Sequence, residues 1–183
     1  MSPQTDEELM AGVRAGDLGA LGTLYARHHQ HVHAMCYRLT GDAAAADDLV
    51  QECFLRVLRF GGGFDGRSKF TTWLFRLVHN RCVDHMTATS REAKHRDVSV
   101  DEVVIASPTP PEEDERLELV RRALFLLPAD KREVLVLSRY ENMRYREIAD
   151  VCQISVEAVK TRAHRAMREL RRIFHELERE YEM

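Results

Sequence analysis

The chain has 183 residues, 44% hydrophobic and 31% charged, enough for one large or two small cores of ordinary composition. Its 27 basic and 30 acidic side chains leave a formal charge of −3, which excludes a uniformly basic nucleic-acid coat and makes any DNA affinity local. The opening MSPQTDEELM has no apolar signal core and no later stretch approaches membrane-spanning length, so a cytoplasmic protein without membrane insertion is expected.

Thr5 to Glu8 carries the T-x-x-E pattern of a capping box and opens a short helix through Leu9, Met10 and Val13 to Gly16. A second helix starts at Asp17 and keeps Leu18, Leu21, Leu24, Tyr25, His28, Val32, Met35 and Leu39 at helical spacing up to Gly41. From Asp42 to Arg59 the inward set is Ala46, Leu49, Val50, Cys53, Phe54, Val57 and Leu58. Asp47, Asp48, Gln51, Glu52 and Arg56 are left outside as an acidic docking face. The glycine-rich loop Gly61 to Ser68 carries one aromatic, Phe64, and a lone loop phenylalanine usually tucks into a core. The fourth helix, Lys69 to about Ser90, turns Phe70, Trp73, Leu74, Leu77, Val78 and Cys82 inward and Lys69, Thr72, Arg76, His79, Asn80, Arg81, Asp84 and His85 outward. Aromatic rings beside Lys, Arg and Asn suit a grip on unstacked bases, and a core tryptophan under a polar face is the other reading of the same residues.

Periodicity disappears from Arg91 to Glu115, where Pro108, Pro110, Pro111 and the acidic EEDE predict an interdomain linker. Helicity resumes over Glu112 to Leu126, stops at Pro128, and restarts at Asp130 with Val134, Leu135, Leu137 and Tyr140. Tyr145 to Arg172 then reads as a helix-turn-helix. Ile148, Ala149 and Cys152 share one side of its first helix, Gln153-Ile154 is the turn, and the Ser155 hydroxyl caps the second helix. Val156, Val159, Ala163, Ala166 and Leu170 form its buried stripe. Thr161, Arg165, Arg168 and Arg172 lie opposite, flanked by Glu157, Lys160 and His164, a set suited to phosphates and base edges. The expected fold is all-α: two small helical domains, 1–91 and 115–183, joined by a flexible linker over 92–114, with the helix-turn-helix in the second.

The four cysteines lie far apart with no C-x-x-C pair, which predicts reduced core thiols. Two other functions fit parts of the sequence. A dimeric helix-turn-helix regulator would need an apolar dimer face and a ligand or receiver domain in the first half, which instead offers an acidic helix and a Trp-bearing basic one. A metal sensor would use His29, His33 and Cys36, at i, i+4 and i+7 of one helix, to hold zinc or copper.

Four collinear stretches resemble the extracytoplasmic-function (ECF) sigma factors, minimal members of the bacterial sigma-70 family. DDLVQECFLRV (Asp47 to Val57) resembles their polymerase-binding helix, and FDGRSKFTTWLFRLVHNRCVDH (Phe64 to His85) their promoter-melting, −10-reading segment. LPADKREVLVLSRYENMRYREIA (Leu127 to Ala149) and ISVEAVKTRAHRAMREL (Ile154 to Leu170) resemble the domain that reads the −35 element. The resemblance implies that Asp48, Gln51 and Glu52 face core RNA polymerase. It implies that Phe64, Lys69, Trp73, Arg76 and Asn80 take up −10 DNA. Thr161, His164, Arg165 and Arg168 would read the −35 major groove, with Lys160 and Arg162 nearer phosphates. It further implies no catalysis, no cofactor and an anti-sigma protein as a regulatory partner. Two departures stand out: Gln153 replaces the usual turn glycine, and Met86 to Ser90 replaces a basic run, which predicts weaker upstream duplex contacts.

Overall fold

The computed structural model describes residues 4–95 and 115–181, and among these the regular structure is all helical. The chain divides into two compact units, Met1–Val98 and Ser99–Met183. The first holds α1 (Asp6–Arg14), α2 (Leu18–Thr40), α3 (Ala43–Phe60) and α4 (Phe70–His95). Their starts are set by side chains that take up otherwise unpaired amides. Thr5 Oγ1 accepts from the Glu8 N–H at 3.2 Å and Glu8 Oε2 accepts from the Thr5 N–H at 2.8 Å, closing the capping box. Asp17 Oδ1 accepts from the Gly19 N–H at 2.8 Å, and Asp42 Oδ1 from the Ala45 N–H at 3.1 Å. Gly41 ends α2 at φ 79°, the left-handed region that costs a glycine nothing.

Helix α4 is capped from across the bundle: its Phe70 N–H donates to Glu7 Oε1 at 3.0 Å. Next to it, Asp6 takes Arg27 and His28 of α2, each at 2.8 Å. The acidic first turn of α1 therefore fastens two other helices as well as complementing its own dipole. Leu24, Val32, Met35, Leu39, Val57, Phe70, Leu74 and Val78 are fully buried. Each such side chain contributes roughly 1.5–3 kcal/mol. At the corner after α3 a Cβ on Gly61 would meet Met10 Cε at 2.3 Å, so this glycine makes room for the core.

Some helical-spacing expectations do not hold. Leu18 is 66% exposed and Leu58 38% exposed, although both fit an inward stripe. Helix α4 continues through Arg91 to His95. The Thr87 and Thr89 hydroxyls donate to the Val83 and His85 carbonyls one turn back, at 2.8 and 3.1 Å. The rest of the expected linker, 96–114, lies outside the described residues. Cys36, Cys53 and Cys82 are buried free thiols, and Cys152 is partly exposed; burial pushes the Cys53 thiol up, away from the reactive thiolate.

The second unit contains α5 (Glu115–Phe125), α6 (Ala129–Leu135), a π-helical turn (Val136–Tyr140), α7 (Tyr145–Cys152) and α8 (Val156–Tyr181). Val134, Leu135, Val136 and Leu137 are all buried in succession, so this segment is enclosed on every side. Its end widens: the Glu141 N–H reaches back five residues to the Val136 carbonyl at 3.1 Å, and Asn142 takes φ 52°. The Lys131 ammonium bonds Glu169 of α8 and holds its carboxyl below the usual carboxylate range. A depressed carboxylate stabilises above its unfolded pKa, so this tie is intact at neutral pH and is lost on acidification.

Candidate nucleic-acid and polymerase interfaces

The helix-turn-helix is assembled by α7, its turn and α8. Gln153 occupies the left-handed position, φ 55° and ψ 43°, that a glycine would fill without strain. Its side-chain Nε2 donates to the Asp150 carbonyl at 2.6 Å, a local bond that offsets part of a cost of order 1 kcal/mol. The turn therefore keeps the usual backbone with an unusual residue. Ser155 Oγ accepts from the Ala158 N–H at 3.1 Å and so caps α8. Val159, Ala163 and Ala166 are buried, and the stripe continues through Ile173 and Leu177.

Opposite that stripe, Lys160, Thr161, His164, Arg165, Arg168 and Arg172 are exposed. Lys160 pairs with Glu157 at 2.8 Å. Arg162 stands apart: it is half-buried, with its Nε 3.9 Å from Asp130, and so points back toward the start of α6. Five of the six residues expected to meet −35 DNA share one surface, and Arg162 does not. Helical period already sets Arg162 beside the buried stripe, three residues after Val159 and four before Ala166; only the family resemblance places it among the DNA contacts.

The residues expected to meet −10 DNA split in two. Lys69, Arg76 and Asn80 are exposed and Trp73 half-buried, spaced so that all four share one side of α4. Phe64 is 3% exposed, with its ring 5.7 Å from Trp73 and 6.0 Å from Phe70. Its carbonyl accepts from Arg14 Nη1 at 3.1 Å. In this arrangement Phe64 has no free face for a base; it is the loop anchor that the lone aromatic also allowed, and it supports Trp73 from beneath. Asn80 Oδ1 lies 3.3 Å from His79 Nδ1, which fixes the amide on the surface.

On α3, Asp48 and Gln51 are exposed. Glu52 is engaged at home: its Oε2 accepts from Arg81 Nε at 3.1 Å and Nη2 at 2.5 Å, while Arg81 Nη1 also reaches Asp84 at 2.9 Å. Leu55, 51% exposed, extends the Asp48–Gln51–Glu52 row by one turn, so the face is amphipathic rather than only acidic. The proposed metal ligands do not converge. His29 stacks on Tyr25 with centroids 4.9 Å apart, His33 reaches Asp47 at 3.3 Å, and Cys36 is in the core. Among the described residues they form no cluster within ligand distance.

Two family models cover these surfaces: sigma-70 region 2 matches residues 24–92, and sigma-70 region 4 matches residues 117–170. The ECF RNA polymerase sigma-E factor of Escherichia coli is 31% identical to the chain over 91% of the chain and 93% of that protein. This chain is an ECF sigma factor. It is a two-domain member of the sigma-70 family, directs core polymerase to promoters, and is not an enzyme. The RNA polymerase sigma-H factor of Pseudomonas aeruginosa is 30% identical over 91% of the chain and 92% of its own length. Among solved structures, CnrH in complex with the cytosolic domain of CnrY overlays with TM-score 0.68 at 28% identity, covering 94% of this chain and 98% of that one. No helix among the described residues is long and apolar enough to cross a membrane.

Proposed function

We propose that this sigma factor docks on core RNA polymerase through Asp48, Gln51, Glu52 and Leu55, and divides promoter reading between its two units. Opposite charge steers the acidic row onto a basic coiled coil, and Leu55 gives that contact an apolar element. Trp73, Lys69, Arg76 and Asn80 take the −10 strand as it unpairs, with Trp73 as the stacking ring, Phe64 holding it in place, and the cations on the backbone. Thr161, His164, Arg165 and Arg168 address the −35 major groove, with Lys160 on phosphate. Arg162 serves the fold through Asp130 instead. The observation that carries the reading is the exposed cationic side of α8, back to back with a buried Val159–Ala163–Ala166 stripe.

The protein works in the cytoplasm, and an anti-sigma protein holds it inactive by covering these surfaces. CnrH, whose fold it resembles, was solved with the cytosolic domain of a second protein. Permanganate footprinting of promoter complexes tests the melting role. Unpaired thymines are expected around −10 with core polymerase plus this chain, and roughly 5- to 150-fold less reactivity with Trp73→Ala, since base stacking contributes about 1–3 kcal/mol. Equal reactivity in wild type and variant would remove Trp73 from the site.

A further inference from the structure

Four of the chain's nine histidines fall between positions 28 and 33 of α2. Two of them are engaged elsewhere: His28 bonds Asp6, and the His31 ring lies 5.2 Å from that of Phe75. The other two, His29 and His33, are one turn apart and line an open groove of about 390 Å³. Asp47 and Gln51 of α3 line the same groove, and among the described residues no Lys or Arg does.

His29 Nδ1 lies 3.0 Å from the Tyr25 carbonyl, which can only accept, so the proton sits on Nδ1 and the Nε2 of the neutral ring keeps its lone pair for a ligand bond. The ring is also held in place. It stacks on Tyr25 with centroids 4.9 Å apart, and Tyr25 in turn packs edge-on against buried Phe54, also at 4.9 Å. His33 Nε2 and Asp47 Oδ1 stand 3.3 Å apart, longer than a good hydrogen bond. Two ligands of a tetrahedral zinc ion, with bonds of about 2.0–2.2 Å, are separated by about 3.4 Å. The three groups do not yet all lie within ligand distance of one another. The side chains of His33 and Asp47 are 40% and 72% exposed, so both can swing toward His29 without disturbing the core.

We propose that His29, His33 and Asp47 bind one divalent transition-metal ion of the zinc class, through two imidazole nitrogens and one carboxylate oxygen, with water in the fourth position. Imidazole ligands favour zinc, copper and nickel over magnesium and calcium, which prefer an all-oxygen shell. The third ligand is Asp47 of the neighbouring helix in place of Cys36, which is in the core, so the i, i+4, i+7 spacing along α2 could not show it. An ion here joins α2 to α3 and binds only the folded unit, so it also stabilises that unit. The site stands or falls independently of the docking and promoter surfaces.

The test is an isothermal titration of zinc chloride into the full chain, untagged, reduced and first freed of metal with a chelator. Wild type should take up its tightest ion at one per chain, and His29→Gln, His33→Gln and Asp47→Asn should each bind it at least about tenfold more weakly, the low end of what losing even a group bonded to a ligand costs. His175→Gln is the control. It removes an imidazole that pairs with Glu178 at 3.1 Å but has no second histidine one turn away, and should leave the affinity unchanged. Cobalt(II) in place of zinc should give the visible bands of a tetrahedral site with no thiolate-to-cobalt charge transfer, which separates this site from one built on a cysteine. If His33→Gln loses helicity, Asp47→Asn decides alone, since that carboxylate is 72% exposed and its replacement leaves the core intact. Wild-type affinity in Asp47→Asn, no saturable zinc binding by wild type, an equal loss in His175→Gln, or a thiolate band with cobalt would each overturn the proposal.

Discussion

Replacing Arg165 and Arg168 together by alanine should cost the holoenzyme most of its discrimination between cognate and altered −35 sequences, while affinity for core polymerase stays at the wild-type level. Both side chains are exposed and lie opposite the buried Val159, Ala163 and Ala166, so the change removes contacts without opening a cavity. A good bidentate base contact is worth about 1–3 kcal/mol, or roughly 5- to 150-fold. The two arginines are neighbours on one face, so their losses will not simply add. Arg168 lines a groove beside Arg139 and Tyr145 and Arg165 does not, which separates the single variants. Arg165→Ala should change which sequences are preferred, whereas Arg168→Ala should also weaken binding across all of them. Gel-shift competition between promoter fragments that differ only at −35 reads both effects, and equal discrimination by wild type and double variant would remove the case for this face.

The second large effect concerns docking. Asp48→Lys should weaken association with core polymerase at least tenfold at low salt, mainly through a slower on-rate, and the difference should shrink as salt rises. Asp48 is the cleaner choice because Glu52 already accepts two hydrogen bonds from Arg81. A lysine at 52 would stand against that guanidinium and disturb α3 against α4, so loss of binding there would mix docking with packing. Arg81→Ala offers the converse. It frees the Glu52 carboxylate, and if the acidic row steers docking the on-rate should rise or hold while thermal stability falls by up to about 1 kcal/mol, the scale of an exposed pair. Interferometry on immobilised core polymerase measures both variants. Unchanged kinetics for Asp48→Lys would move the docking surface elsewhere.

How far the chain could be read in advance follows from whether a feature is local. Thr5 with Glu8, Asp17, Asp42, Gly41 and Ser155 act on amides a few residues away, and each does what its position implies. The stripe on α8 is likewise set by helical period alone. Features that depend on how helices cross were not legible. The Glu7 cap on Phe70 spans 63 residues, and the Arg81–Glu52 pair 29, so nothing in the local pattern announces either. Leu18 and Leu58 fit their stripes by angle, yet both are exposed. The base contact of Phe64 is implied by the family resemblance alone, whereas a lone loop aromatic by itself points to the core, and the surrounding glycines let the loop fold its ring onto Trp73.

Core RNA polymerase should gain from this chain a promoter preference that it lacks alone. Run-off transcription on a promoter library randomised at the −10 and −35 positions, with core polymerase in the presence and absence of the full chain, tests it most directly. The chain should select a narrow family of templates with two conserved blocks, Arg165→Ala should relax only the upstream block, and core polymerase alone should select neither. Transcripts whose start sites and template sequences are the same with and without the chain would contradict it.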